Sequence, residues 1–210
     1  MTEERDMNSG PQLDDADDRR RFFRIDDSIH LRYQKVPDED INQRLARLER
    51  GLDSNFTVVS TLAAITQKMA GVMHRIEPRR ADIASYLKSL DEKIDVLGRA
   101  FLMQDADFDD HPAHAVNLSA TGMAFHTAER VDPGVMLELK IILMPSYTGI
   151  LTYAEVMACD EIGDETNSLL YTLRVNFSHI RGDDMDVLIR HVVKRQSAML
   201  RKQREMREAE

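Results

Sequence analysis

Two hydrophobic periods alternate along the chain, and their order predicts the fold. Between Phe23 and Val36, in FFRIDDSIHLRYQKV, apolar residues recur every second position at Ile29, Leu31 and Tyr33. Successive side chains of a strand point to opposite faces, so this spacing predicts a strand with one buried face, ended by Pro37. From Ile41 the period lengthens. Ile41, Leu45, Leu48, Leu52, Asn55, Val59, Leu62, Thr66, Met69, Met73 and Ile76 follow a four-three spacing through INQRLARLERGLDSNFTVVSTLAAITQKMAGVMHRIE. Ile83, Leu87, Leu90, Ile94, Leu97 and Phe101 repeat it in RRADIASYLKSLDEKIDVLGRAFLMQ. This is heptad patterning, the sign of helices packed along a seam. Glu77-Pro78 separates the two helical runs. Gly51 with Asp53-Ser54 marks a further break, because Ser54 is suited to cap a new helix. Two packings satisfy the pattern: amphipathic helices folded onto their own domain, or a coiled coil between chains. Unbroken spacing over several heptads favours the second.

After DADFDDHP the short period returns. HAVNLSATGMAFHT reads as strand, turn, strand, and VMLELKIILM alternates at Val135, Leu137, Leu139, Ile141 and Leu143. ILTYAEVMA and LLYTLRVNF do likewise, the latter with Leu169, Tyr171, Leu173, Val175 and Phe177 on one face. Several short alternating strands separated by turn residues predict a small antiparallel barrel. A helix from about Asp184 follows, apolar at Val187, Leu188 and Val192 with His191 on the same side, and runs into the charged stretch KRQSAMLRKQREMREAE. The predicted order is strand, helical insert, several strands, helix.

Composition narrows the class. The chain has 210 residues, 42% of them hydrophobic, which suits one or two globular units with a real core. A net charge of −9 argues against general binding to nucleic acid or to an anionic membrane surface. No apolar run approaches the roughly 20 residues of a membrane span. The N-terminal MTEERDMNSGPQLDDADD has no hydrophobic segment of the kind a secretory signal needs, and reads as a disordered acidic tail over residues 1–18. The lone Cys159 excludes an internal disulfide framework and fits a reducing compartment, so a cytoplasmic location is expected.

Candidate chemistry is sparse. His111 and His114 beside Asp109 and Asp110 match no metal-ligand spacing, so no metal site is expected. Cys159 has no histidine partner nearby and reads as a small buried strand residue. No phosphate-cradling glycine loop occurs, and no catalysis is expected. Two stretches stand out. DDRRRFFRIDD, residues 17–27, packs Arg19, Arg20, Arg21 and Arg24 around two phenylalanines in an otherwise acidic chain. NLSATG, residues 117–122, sets Asn117 and Ser119 two apart, on one face if the strand continues, with Gly122 allowing a positive φ or a close backbone approach. Asn and Ser suit a base edge or a sugar, and the same residues also make an ordinary hairpin turn.

Together, Arg20 and Arg24 in R-x-x-x-R form and Asn117, Ser119 and Gly122 in [DN]-x-S-x-x-G form resemble the PilZ domain, a bacterial cyclic di-GMP receptor family. VDPGVMLELKI is similar to that family's Pro-Gly turn and following strand, and YTLRVNFSHI to its last strand. The resemblance covers residues 19–36 and 114–195. It implies that Arg20 and Arg24 grip the ligand, arginine being suited to bidentate contact with phosphate and with the guanine O6/N7 edge. It also implies that Asn117 and Ser119 touch guanine and that Gly122 lets the strand pass close to the ligand. Arg19 is similar to the residue found in members that hold an intercalated ligand pair, whereas Phe22 and Phe23 suit anchoring. Asn117 departs from the Asp of many members, which removes a charge-assisted bond to a guanine N–H.

The expected fold is therefore α+β: a PilZ-like antiparallel barrel (residues 19–36 and 111–195) with a closing helix. A helical heptad insert (37–110) interrupts it after the first strand, and a charged helical extension (196–210) follows. The insert resembles that of xanthomonad members that form tetramers. Ile83, Leu87, Leu90, Ile94, Leu97 and Phe101 are the expected oligomer seam, of a tetramer or alternatively a dimer, with Asn55 and Thr66 as polar register positions. The expected function is a cyclic di-GMP receptor, free of cofactor, that passes its signal to a downstream protein. The alternative is a degenerate, non-binding adaptor module.

Overall fold

The computed structural model describes residues 23–50, 54–104, 113–162 and 171–208. The expected acidic tail, Arg19–Arg21, Phe22, Leu52, Asp53, His111 and Leu169 lie outside them. Six strands, β1 (Ile25–Lys35), β2 (His114–Leu118), β3 (Gly122–Thr127), β4 (Met136–Leu143), β5 (Thr148–Glu161) and β6 (Tyr171–His179), close into one antiparallel barrel in the order β1-β2-β3-β6-β5-β4. Closure depends on β1. Its first half pairs with β2, Ile25 opposite Leu118, and its second half with β4, His30 opposite Ile142.

The period of two read from the sequence is the interior of this barrel. Ile25, Ile29 and Leu31 of β1, Leu137, Leu139, Ile141 and Leu143 of β4, and Leu173, Val175 and Phe177 of β6 are buried in one cluster. Cys159 packs at its edge as a free, partly buried thiol. A C-terminal helix, α4 (Gly182–Glu208), adds Leu188 and Val192 to the same cluster. Because ordered antiparallel strands leave no unpaired edge once closed, the barrel satisfies its backbone groups internally.

Helices α1 (Asp38–Arg50), α2 (Asn55–Ile76) and α3 (Ala81–Gln104) stand between β1 and β2. The break at Ser54 takes the form its sequence suggests. Ser54 is extended (φ −144, ψ 156) and its side chain accepts from the Thr57 N–H, while Thr57 returns a bond to the Ser54 N–H. After Ile76, the turn at Glu77-Pro78 reverses the chain into α3.

The insert meets the barrel on its outer wall, the first of the two packings that the heptad pattern allows. Ile142, Leu151 and Tyr153 point outward from β4 and β5 and join Leu48 of α1, Phe56 and Val59 of α2 and Leu102 of α3 in a second buried cluster. These strands are thus apolar on both faces, which explains the nearly continuous hydrophobic run of β4. Gly149 makes the approach possible: a Cβ there would lie 2.9 Å from both Leu102 Cδ2 and Phe56 Cδ1. Asn55, expected as a polar register position between chains, instead donates its amide to the Phe101 carbonyl at 3.0 Å and ties α2 to α3 within the chain. The buried positions of α3 are Ala84, Gly98 and Leu102, one step around the helix from the expected seam. Ile83, Ile94, Leu97 and Phe101 remain exposed, and Leu87 and Leu90 half-buried.

By length and composition alone the stretch Asp38–Ile76 meets the test for a membrane-crossing helix. Of its apolar residues, Leu48, Phe56, Val59 and Ala64 are buried within the protein, and Ile65, Met69 and Val72 are exposed.

A buried carboxylate anchors α1. Glu138 of β4 accepts from Arg44 Nη1 (2.9 Å), the Tyr153 hydroxyl (2.9 Å) and Gln34 Nε2 (2.7 Å). Burial, with the Glu138 carboxylate beside it, pushes the Tyr153 hydroxyl well above its ordinary pKa, so it stays protonated and donates. Glu138→Ala would strand both the Arg44 charge and the Tyr153 hydroxyl, and is expected to cost about 3 kcal/mol of stability in chemical denaturation. Gly122 sits where β3 crosses β6: a Cβ would come within 2.2 Å of the Val175 carbonyl oxygen. Since the obstacle is backbone, Gly122→Ala is expected to lower stability by about 2 kcal/mol or more, and an unchanged denaturation midpoint would contradict the contact.

Candidate functional site

The two arginine- and asparagine-bearing motifs lie about ninety positions apart in sequence, and strand pairing brings their described members together. Asp26 of β1 stands directly opposite Asn117 of β2. Asn117 Nδ2 donates to Asp26 Oδ1 at 2.8 Å, and Arg24 Nη1 donates to Asn117 Oδ1 at 3.3 Å. All three side chains lie at the surface. The amide thus bridges a cation and an anion. This arrangement supplies a physical reason for Asn rather than Asp at 117. Two carboxylates directly opposite each other on adjacent strands would repel, whereas the amide donates to one partner and accepts from the other.

Ser119 departs from the expectation that it shares the outward face of Asn117. β2 ends at Leu118, the chain turns, and Ser119 is buried. Its hydroxyl donates to the Gly122 carbonyl at 3.0 Å, and its backbone N–H donates to the same oxygen at 2.9 Å. Ser119 therefore closes the β2–β3 turn. Gly122 makes a close backbone approach, as its sequence context allows, but the neighbour it approaches is β6. Arg19 and Arg20 lie outside the described residues, as does the rest of the motif upstream of Phe23. Phe23 is exposed.

Cross-strand register extends this surface. Asn117 pairs with Ala124 of β3, and Ala124 with Arg174 of β6. The row Asp26–Asn117–Ala124–Arg174 thus spans four strands, with a small residue between two polar ends. Arg174 is ion-paired to Asp160. Neither Asp26 nor Arg174 stands out in the sequence, because each belongs to an alternating strand segment whose outward residues are ordinarily charged. Only the register makes them neighbours of Asn117.

A buried cluster lies one residue past Asp26. Asp27 points inward, its side chain fully buried, with His191 Nε2 2.6 Å from Oδ2 and Arg195 Nη2 2.6 Å from Oδ1. The start of β1 is thereby fixed to α4. A cleft of about 400 Å³ lies elsewhere, between α1 and the outer wall, lined by Arg44, Arg47, Lys140 and Tyr153 among others. It contains none of the motif residues. Among the described residues no group of three or more His, Cys, Asp or Glu side chains is placed to hold a metal ion.

Comparison with known proteins agrees with this architecture. Residues 74–194 match the sequence model of the PilZ domain. The match begins near the end of α2, so β1 and Arg24 stand outside it. A pathogenic protein from Xanthomonas campestris, described as a tetrameric PilZ domain self-assembled through an unusual helical bundle, has a similar structure. Its TM-score is 0.54 at 14% identity, over 86% of this chain and 91% of that one. At that identity the likeness is one of fold. The Bacillus subtilis inhibitor of motility MotI/DgrA aligns over 41% of this chain and 42% of its own, at 24% identity and a TM-score of 0.36. No curated protein sequence matches the chain. With more than half its length matched to the domain and its strands closed into the barrel described above, the chain belongs to the PilZ domain family.

Proposed function

We propose that this chain is a cytoplasmic cyclic di-GMP receptor that signals by a change of shape or of protein partner, with neither catalysis nor cofactor. Membership of a receptor and adaptor family supports the class. The single observation that carries the site is the Arg24–Asn117 hydrogen bond, which joins the two motif halves on one surface. In this reading Arg20 and Arg24 take the phosphates and the guanine O6/N7 edge, with Arg19 extending the grip to an intercalated second ligand. Asp26 holds the Asn117 amide by its NH2 group, which leaves Oδ1 free to accept from a guanine N–H once Arg24 turns to the ligand. Ser119 and Gly122 act indirectly, by fixing the turn that presents Asn117.

Assembly belongs to the same proposal. Residues 37–110 are read as the oligomerisation element, 19–36 and 111–195 as the receptor barrel, and 196–210 as a charged extension. The stripe Ile83, Leu87, Leu90, Ile94, Leu97 and Phe101 is not consumed by packing within the chain; Leu97 is 60% exposed and Phe101 45%. Mixed Ile and Leu at seam positions are compatible with four helices as well as two. A tetramer like that of the Xanthomonas protein is the first expectation, and a dimer the second.

Calorimetric titration with cyclic di-GMP tests the site. Arg20→Ala and Arg24→Ala each remove charge-assisted bonds worth about 1.5–3 kcal/mol, so each is expected to weaken binding roughly 10- to 100-fold. Variants that bind like the parent would refute the site assignment, and a parent that binds no nucleotide would favour the adaptor-only reading. Light scattering at micromolar concentration tests assembly independently. The parent is expected to be oligomeric with or without nucleotide, and Leu90→Glu with Ile94→Glu is expected to dissociate it. A monomeric parent, or an unchanged mass for the double variant, would sink the seam.

A further inference from the structure

We propose that the last turns of α4, beyond Arg195, form a docking surface for the acidic N-terminal segment of the same chain, residues 1–18. The surface is visible in the helix itself. Up to Val192, α4 is held by the barrel core, and His191 and Arg195 close on Asp27. Past that point the helix continues to Glu208 without support. Met199, Leu200 and Met206 are exposed there. Among the described residues, no side chain from Ala198 to Glu208 has an ion pair or a hydrogen bond to another element. Met199 and Met206 fall one and two heptads after Val192, so the stripe that faces the barrel continues as an uncovered strip. Residues 194–208 carry six Lys and Arg against two Glu, a basic helix in an acidic protein.

Charge and connectivity select the occupant. Residues 1–18 carry seven carboxylates and one arginine, so a net −6 of the chain's −9 lies in this segment. Met7 and Leu13 supply apolar side chains between its acidic clusters. The segment joins the described structure just before β1, and Asp27 near the start of β1 is the residue α4 grips. The thirteen residues from Gln196 to Glu208 are about 20 Å long as a helix. Eighteen residues at full extension span roughly 60 Å, so the tether reaches the whole surface. A tether this short gives an effective concentration of the order of millimolar, enough for individually weak contacts. The other occupants are disfavoured electrostatically. A second α4 brings the same positive charge, and an anionic membrane repels a chain of net −9.

Docking would hold the arginines at 19–21 beside α4 and would weaken with salt, since exposed pairs are screened at about 10 Å in 0.1 M salt. Hydrogen exchange read by mass spectrometry, on full chain without nucleotide, tests this apart from the ligand reading. Deletion of residues 1–18 is expected to speed amide exchange over 199–208 about tenfold at low salt. Roughly 0.5 M salt should do the same to the parent. Arg201→Glu with Lys202→Glu and Arg204→Glu should match the deletion, and adding Asp14→Lys, Asp15→Lys and Asp17→Lys should restore protection. Identical exchange with and without residues 1–18 would overturn the proposal. So would sedimentation of the parent with phosphatidylserine vesicles as complete as that of the deletion variant, which would make a membrane the occupant.

Discussion

The rest of the structure depends on one strand pairing with two partners that are remote in sequence. β1 is hydrogen-bonded to β2 along its first half and to β4 along its second. Without it the other five strands would form an open sheet with two exposed edges, and the inward residues of β2 and β4 would face solvent. The same pairing fixes where the helical insert leaves and re-enters the barrel. It also sets Asp26 against Asn117, brings Arg24 within hydrogen-bonding reach, and turns Asp27 inward toward α4. Barrel closure and assembly of the candidate site are therefore one event.

Buried carboxylates repeat one device at three places. Among the described residues, Glu138 holds Arg44 of α1, Asp27 holds His191 and Arg195 of α4, and Asp184 pairs with Arg181 at 2.7 Å. Arg181 also donates to the Thr57 carbonyl at 3.2 Å, which links the start of α4 to the first turn of α2. A buried ion pair contributes little net stability because desolvation offsets its Coulomb energy, but breaking one leaves an uncompensated charge. The Glu138 and Asp27 pairs act as locators, penalising any arrangement in which α1 or α4 slides away from its carboxylate, whereas Asp184 orients Arg181 for its bonds to α2. Apolar contacts supply the attraction, and these pairs select among the positions that attraction allows.

The helical insert presents two apolar faces, of which one is covered by the barrel. The faces of α2 and α3 that carry Phe56, Val59 and Leu102 are spent on the barrel wall, where Gly149 leaves room for them. The neighbouring face, with Ile94, Leu97 and Phe101, stays open. Phe56 and Leu102 lie beside the heptad positions Asn55 and Phe101, so these barrel-facing residues flank the regular stripe and most of the stripe on α3 is left uncovered.

The order and kind of the elements are legible in the chain, because period carries burial. Alternation at Leu137, Leu139, Ile141 and Leu143, and at Leu173, Val175 and Phe177, specifies strands with one interior face. The four-three spacing specifies helices, and Ser54 and Glu77-Pro78 specify their ends. The resemblance of two short motifs pointed to the family. What period cannot carry is register. Whether Ser119 faces outward depends on where β2 ends, and only the β2–β3 turn decides that. Asp26 and Arg174 join the surface of Asn117 through cross-strand neighbours that no local spacing encodes. Asp27 reads as one more acidic residue until α4 reaches it from 164 positions away. Within a strand, local sequence fixes which face a side chain takes; tertiary structure decides where the strand ends and what the side chain meets.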